Sequence, residues 1–299
     1  MEALLFVGHG SKDPNGNEEI IQFVEQVKSD YSQPIIETCF LEFASPDILQ
    51  GIDHCVNRGA TSVSLVPMMF LAAGHSKIHI PVAIDEAKEK YPHVNFTYGR
   101  PVGVHNRIID MLESCLQEQG LTSDAEDAVV LLIGRGSSDP DANSDLYKIG
   151  RLLSERLHHL PVEMAFIGVT NPTVEAGVEK AIKLGAKKVF LVPYLFFTGV
   201  LMNRMHDKLA TFKEQYKEQQ FQMTDYFGFR DEVKDVFKDR AEEALQGQAK
   251  LNCDMCEYRL HAIEHMDVHH HHHHDHDHDH DHDHGHHHHH HHGHSHGEE

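Results

Sequence analysis

The chain contains one plan twice. Gly8-His9-Gly10-Ser11-Lys12-Asp13-Pro14 returns 126 residues later as Gly134-Arg135-Gly136-Ser137-Ser138-Asp139-Pro140. The offset holds without gaps. Pro46 falls on Pro172, Gly59-Ala60 on Gly185-Ala186, Val66-Pro67 on Val192-Pro193 and Phe70 on Phe196. Any fold that cannot be built twice is therefore excluded. The copies differ where chemistry is at stake. His9 gives way to Arg135, Glu42 to Gly168 and His75 to Leu201. Residues kept in both halves serve the fold. Groups able to ligate metal or move protons survive in the first half only, so the search for a site begins there.

Within each half, short apolar runs alternate with amphipathic stretches. The runs Leu4–Val7 and Val129–Ile133 are continuous rather than alternating, as expected for parallel strands covered on both faces. Helices are predicted over residues 17–28, 46–58 and 81–90, with Pro46 in a first turn and Gly59 at the end. Their counterparts are 144–158, 172–184 and 203–219, and a last helix over 104–117 returns as 231–245. The architecture this predicts is α/β: two tandem doubly wound parallel-sheet domains, an internal duplication, facing across a cleft. Ligands in such sheets bind beyond the carboxyl ends of the strands. Gly8-His9-Gly10, Glu42 and the Pro67–His75 loop all follow strands and fall on that rim. The domain boundaries read as 1–122 for the half carrying the metal site and 127–246 for its repeat. Residues 247–268 form a Cys-x-x-Cys extension, and 269–299 a His/Asp-rich tail. Without apolar surface to offset ordering entropy, that tail is expected to be disordered.

The net charge of −21, with no basic stripe, argues against a nucleic-acid partner. The chain enters an apolar strand at Ala3 with no charged leader or long apolar run, which predicts a cytoplasmic protein without a membrane segment. Of the five cysteines, Cys39, Cys55 and Cys115 read as core thiols.

Five positions carry the candidate chemistry. His9 lies between glycines that permit a tight turn and a close backbone approach. It is either a metal ligand or acid–base group at the cleft, or a histidine that merely bonds the turn. Met68-Met69-Phe70-Leu71-Ala72-Ala73-Gly74-His75 is too apolar for a solvent loop. Either it packs into the domain interface or, with its counterpart Tyr194–Leu201, it walls a planar hydrophobic ligand that His75 reaches. His79 lies one helical turn beyond His75, but Pro81 argues against a helix through this stretch and leaves His79 either a support residue or solvent-facing. Glu42 is either a desolvated proton acceptor or a strand-end cap. Arg135 offers a fixed guanidinium to a carboxylate, and Ser11, Ser137, Gly74 and the following helix N-termini could hold further anionic groups.

Through Gly8-His9-Gly10-Ser11, Phe40-Leu41-Glu42, the Pro67–His75 loop with Ile80-Pro81, and Cys253-Asp254-Met255-Cys256, the chain resembles the class II tetrapyrrole chelatases. The resemblance is to the long-form sirohydrochlorin cobaltochelatases of the anaerobic cobalamin pathway and covers residues 1 to about 260. It implies that His9 and His75 bind the incoming divalent metal and pass it to the macrocycle. Relatives carry an acidic residue near the position of His79, which leaves its role open. The resemblance also implies an iron–sulfur cluster at Cys253 and Cys256, although the family's methionine two residues before the first cysteine is here Leu251. Two thiols cannot complete a four-cysteine cluster. His261, His265 or a second chain, as in a homodimer, would have to contribute; the alternative is a surface thiol pair or zinc site.

The tail carries 20 of the 31 histidines, at a density that binds Co²⁺, Ni²⁺, Cu²⁺ and Zn²⁺. Cobalt insertion into sirohydrochlorin, a polycarboxylate tetrapyrrole, with release of two protons is the leading expectation. Insertion of iron or nickel by the same enzyme class, in siroheme synthesis or a related pathway, is the first alternative. The second is a metal-storage or chaperone protein on this scaffold.

Overall fold

The computed structural model describes residues 1–122 and 125–248, with the backbone alone at His75. The readings on Leu251, Cys253, Cys256, His261, His265 and the tail from His269 lie outside the described residues.

Each repeat is a four-stranded parallel sheet. In the first, β1 (Glu2–Gly8), β2 (Ile35–Phe40), β3 (Ser62–Met68) and β4 (Asn95–Tyr98) lie in the order β2-β1-β3-β4. In the second, β5 (Ala128–Gly134), β6 (Val162–Phe166), β7 (Lys188–Pro193) and β8 (Gln220–Met223) repeat it as β6-β5-β7-β8. The helices are α1 (Pro14–Val27), α2 (Ile48–Asn57), α3 (Ile80–Lys90), α4 (Asn106–Glu118), α5 (Pro140–Arg156), α6 (Val174–Lys183), α7 (Val200–Gln215) and α8 (Asp231–Leu245). The duplicated α/β architecture and its parallel sheets agree with the sequence reading. Ala3–Val7 and Val129–Ile133 are buried because helices cover both faces of each sheet.

The prolines behave differently from expectation. Pro46 and Pro172 stand outside the helices, each after a cis peptide bond. Their carbonyls extend the strand ends instead, accepting from Phe40 N–H at 2.8 Å and Phe166 N–H at 2.9 Å. Asp47 and Thr173 then cap α2 and α6. Pro81 does not exclude a helix before it: His75–His79 forms a π-turn that runs into α3, with Pro81 in that helix's first turn. Proline lacks the N–H that an α-helix would give to the Lys77 carbonyl, and its ring crowds that oxygen; a wider turn accommodates both.

The closing helices cross between repeats. α8 packs on β3 and β4 of the first sheet, and α4 packs against α5 and α8. One apolar cluster consequently spans both halves, with Phe237 of α8 between Phe23 and Phe196, its ring centroid 5.5 and 5.3 Å from theirs. Buried Arg240 locks the crossing: Nε donates to the Pro101 carbonyl at 3.1 Å and Nη2 to that of Val102 at 2.8 Å. Arg100 adds a bidentate pair to Glu243 at 2.8 and 2.7 Å.

His105 sits at this junction and caps α4, its Nδ1 accepting from Arg107 N–H at 3.2 Å. Burial, reinforced by the Arg240 charge, holds its pKa below the ordinary 6.5. The unfolded chain therefore takes up the proton first on acidification. The stability this group contributes is present above about pH 6.5 and lost as the pH falls below it. Urea unfolding should show the parent losing more stability between about pH 7.5 and 5.5 than His105→Asn, which keeps a neutral cap. Equal losses would refute this role for His105.

Candidate functional site

Two glycines fix the geometry. Gly10 and Gly136 take positive φ values of 86° and 89°. A Cβ on Gly10 would fall 1.7 Å from the Glu42 carbonyl oxygen, and one on Gly136 would fall 1.9 Å from that of Gly168. The close approach that these glycines permit is thus to the neighbouring strand end. There, Leu41 N–H donates to Gly8 O at 2.9 Å and Glu42 N–H to His9 O at 3.1 Å. Ile167 and Gly168 repeat both bonds to Gly134 and Arg135 at 2.9 and 3.1 Å. The backbone therefore sets residue 9 beside 42 and residue 135 beside 168 in the same way, and only the side chains differ.

His9 Nδ1 lies 3.2 Å from the Gly10 carbonyl and 3.4 Å from Glu42 Oε1. Its Nε2 is 2.9 Å from Arg135 Nη1. A guanidinium can only donate, so Nε2 carries the lone pair and the ring proton sits on Nδ1. Burial, and then the Arg135 charge, hold the imidazole pKa below 6.5, which leaves the ring neutral at pH 7. A neutral imidazole whose Nδ1–H is held by a backbone carbonyl, here Gly10 with Glu42 beside it, is one way proteins orient a metal-binding histidine. The Glu42 side chain is half-buried beside His9 and does not cap the following helix, whose N-cap is Asp47.

A cavity of about 760 Å³ opens between the repeats, lined by both halves, with His9, Ser11, Gly74, His79, Arg135 and Ser137 among its walls. The two apolar loops first grip each other. Phe70 stacks on Phe196 at 3.9 Å and on Tyr194 at 4.3 Å. Together with Leu71, Leu195 and Phe197 these stacked rings line the cavity, so the loops are both domain interface and cavity wall. Residues 75 and 79 bracket the π-turn on its rim, and the charge of His79 is felt at His9. The side chain of His75 lies outside the described residues. Among the described residues no three imidazole, thiol or carboxylate groups converge as a metal cage.

The helix N-termini do not match the sequence reading. α1 and α5 are capped by the carboxylates of Asp13 and Asp139, so a negative charge already occupies each positive helix end. The hydroxyls of Ser11 and Ser137 brace these caps, each accepting a backbone N–H at 3.0 Å.

Sequence reasoning missed Phe43 and Val169, which follow Glu42 and Gly168 at matching repeat positions. Both adopt left-handed φ, 61° and 69°, and are 57% and 71% exposed at the cavity. Holding a bulky or β-branched residue there costs about 1–3 kcal/mol, a strain that clusters at ligand sites. The available signal was an apolar residue at the same offset in both copies, just past the site.

Gly10→Ala should lower unfolding stability by about 1–3 kcal/mol, because its methyl would strike backbone. Gly74→Ala, whose Cβ would meet nothing within 4 Å, should leave unfolding unchanged. Thermal or urea unfolding tests both.

A duplicated parallel α/β fold holding one histidine–carboxylate pair at the cleft between its halves is the architecture of the two-repeat class II chelatases. The chain belongs to the CbiX family, whose model matches residues 3–119 and 129–244. It is 55% identical to a sirohydrochlorin cobaltochelatase of Priestia megaterium over 90% of this chain and 88% of that one. It is 37% identical to a sirohydrochlorin ferrochelatase of the same organism, over 83% and 92%. Among solved structures, SirB from Bacillus subtilis with Fe³⁺ superposes with a TM-score of 0.73 at 34% identity, covering 83% of this chain and 98% of that one.

Proposed function

We propose that this protein inserts Co²⁺ into sirohydrochlorin, giving cobalt-sirohydrochlorin and two protons, as a step of cobalamin biosynthesis. The choice of metal and macrocycle is carried by one observation, the 55% identity to a cobaltochelatase along nearly the whole of both chains. The chemistry rests on His9. Its neutral imidazole offers a lone pair at Nε2, borderline in softness and suited to holding Co²⁺ loosely enough to release it to four ring nitrogens. His75 is proposed as the second metal ligand, and His79 as a support at the rim. As two pyrrole N–H bonds break and Co–N bonds form, Glu42 beside His9 accepts protons and passes them to solvent. Ser11, Gly74, Arg135 and Ser137 face the polycarboxylate edge of the substrate. Phe43 and Val169 press on its flat face, which uses their strained exposure.

Conversion is read from the tetrapyrrole absorbance with Co²⁺ and the full chain. Rapid conversion by the parent, and a loss of roughly 100-fold or more in His9→Ala, is the expected result. Tight metal binding without conversion above the protein-free rate would replace this reading with metal storage. Phe43→Gly should keep fold stability within about 1 kcal/mol while raising the KM for tetrapyrrole, because glycine accepts the positive φ but offers no ring. An unchanged KM would remove Phe43 from the site.

Iron is the second reading, favoured by the ferrochelatase relative and the Fe³⁺-bearing SirB. Rates with Co²⁺, Fe²⁺ and Ni²⁺ at matched free concentrations decide between them. The histidine-rich tail is proposed to load divalent ions for delivery. A cluster at Cys253 and Cys256 fits poorly within one chain, because Cys39, Cys55 and Cys115 are buried in the cores. Its remaining ligands would come from His261, His265 or a second chain, and no step of the reaction is assigned to it.

A further inference from the structure

The hydrogen bond between Arg135 and His9 occupies the atom that a metal needs. An imidazole nitrogen has one lone pair, and at Nε2 of His9 that pair accepts from Arg135 Nη1 at 2.9 Å. The guanidinium also puts a fixed positive charge where a divalent cation would sit, and the two repel strongly in a half-buried cleft. Both the atom and the charge must be vacated before the metal can be held.

The site provides room for that movement. Arg135 is an exposed side chain on a backbone fixed by Gly136, so its stem can swing without disturbing the turn. Glycine replaces Glu42 at its flank, and a Cβ at Gly168 would meet nothing within 4 Å. Arg135 also lines the cavity, within reach of a ligand there. A guanidinium prefers a carboxylate to a neutral imidazole, since the carboxylate brings an opposite charge and can accept two parallel N–H bonds.

We propose that Arg135 is an interlock: it covers the His9 lone pair in the free protein and leaves it when a carboxylate of the macrocycle draws the guanidinium away. The metal site is thereby opened by the second substrate, and binding is ordered, tetrapyrrole before metal. This rests on the chelatase reading and names the residue that governs its order.

The test measures Co²⁺ binding by the full chain in a nitrilotriacetate metal buffer, which loads the tail equally in every variant. The parent, Arg135→Ala and Arg135→Lys are each paired with the same protein carrying His9→Ala, and the difference isolates the His9-dependent ion. Without tetrapyrrole, that ion should bind on the order of tenfold more tightly to Arg135→Ala than to the parent. Arg135→Lys, which keeps the charge on a flexible stem, should fall between. Sirohydrochlorin should raise the affinity of the parent and have little effect on that of Arg135→Ala. Equal His9-dependent affinity in the parent and Arg135→Ala would overturn the interlock. If the parent also converts sirohydrochlorin, the chelatase reading survives that result. Absence of both His9-dependent binding and conversion would overturn the two together.

Discussion

The stack of Phe70 on Phe196 is the contact on which the rest of the arrangement turns. These residues hold the same place in the two repeats, and so do His9 and Arg135, which also touch. A structure in which residues meet their own counterparts is packed about a pseudo-twofold axis, as an isologous dimer is. The stacked rings and the imidazole–guanidinium bond mark that axis. Whatever lies on it occurs once, however often the fold is repeated. That is why duplication leaves one cleft, although only one copy carries the imidazole and the carboxylate.

The crossing of the closing helices follows from the same packing. α8 covers the first sheet, so the half that carries His9 is completed by the half that does not. Arg240 is buried because its guanidinium serves two backbone carbonyls at the other repeat's loop, Pro101 and Val102. Buried carbonyls thus receive donors, and Glu243 balances the charge at 2.6 Å. The half that carries His9 is thus a half in sequence but not in folding.

Much of this was legible beforehand because it is written in periodicity. The repeat offset, the continuous apolar strands and the span of α8 all depend on local pattern. His9 and Glu42 were found because the second copy lacks them. Four features escaped. Pro46 and Pro172 were read as helix starts, although their carbonyls accept from Phe40 and Phe166 at the preceding strand ends, a pairing that helix propensity does not encode. Pro81 was read as a barrier, although a π-turn relieves the clash it creates. Arg135 was read as a grip for substrate alone; its bond to His9 appears only when residues 126 apart are brought onto one axis. Phe43 and Val169 were overlooked because strain is a property of dihedral angles, and neither residue type announces it.

The glycine at position 168 has a consequence for the two faces of a flat ligand. Where the first repeat presents a carboxylate and an imidazole, the second presents open space and a cation. A planar ring placed between them would meet an imidazole and a carboxylate on one face, and open space and a cation on the other. Loss of symmetry gives the cleft a front and a back, something two identical halves could not have supplied.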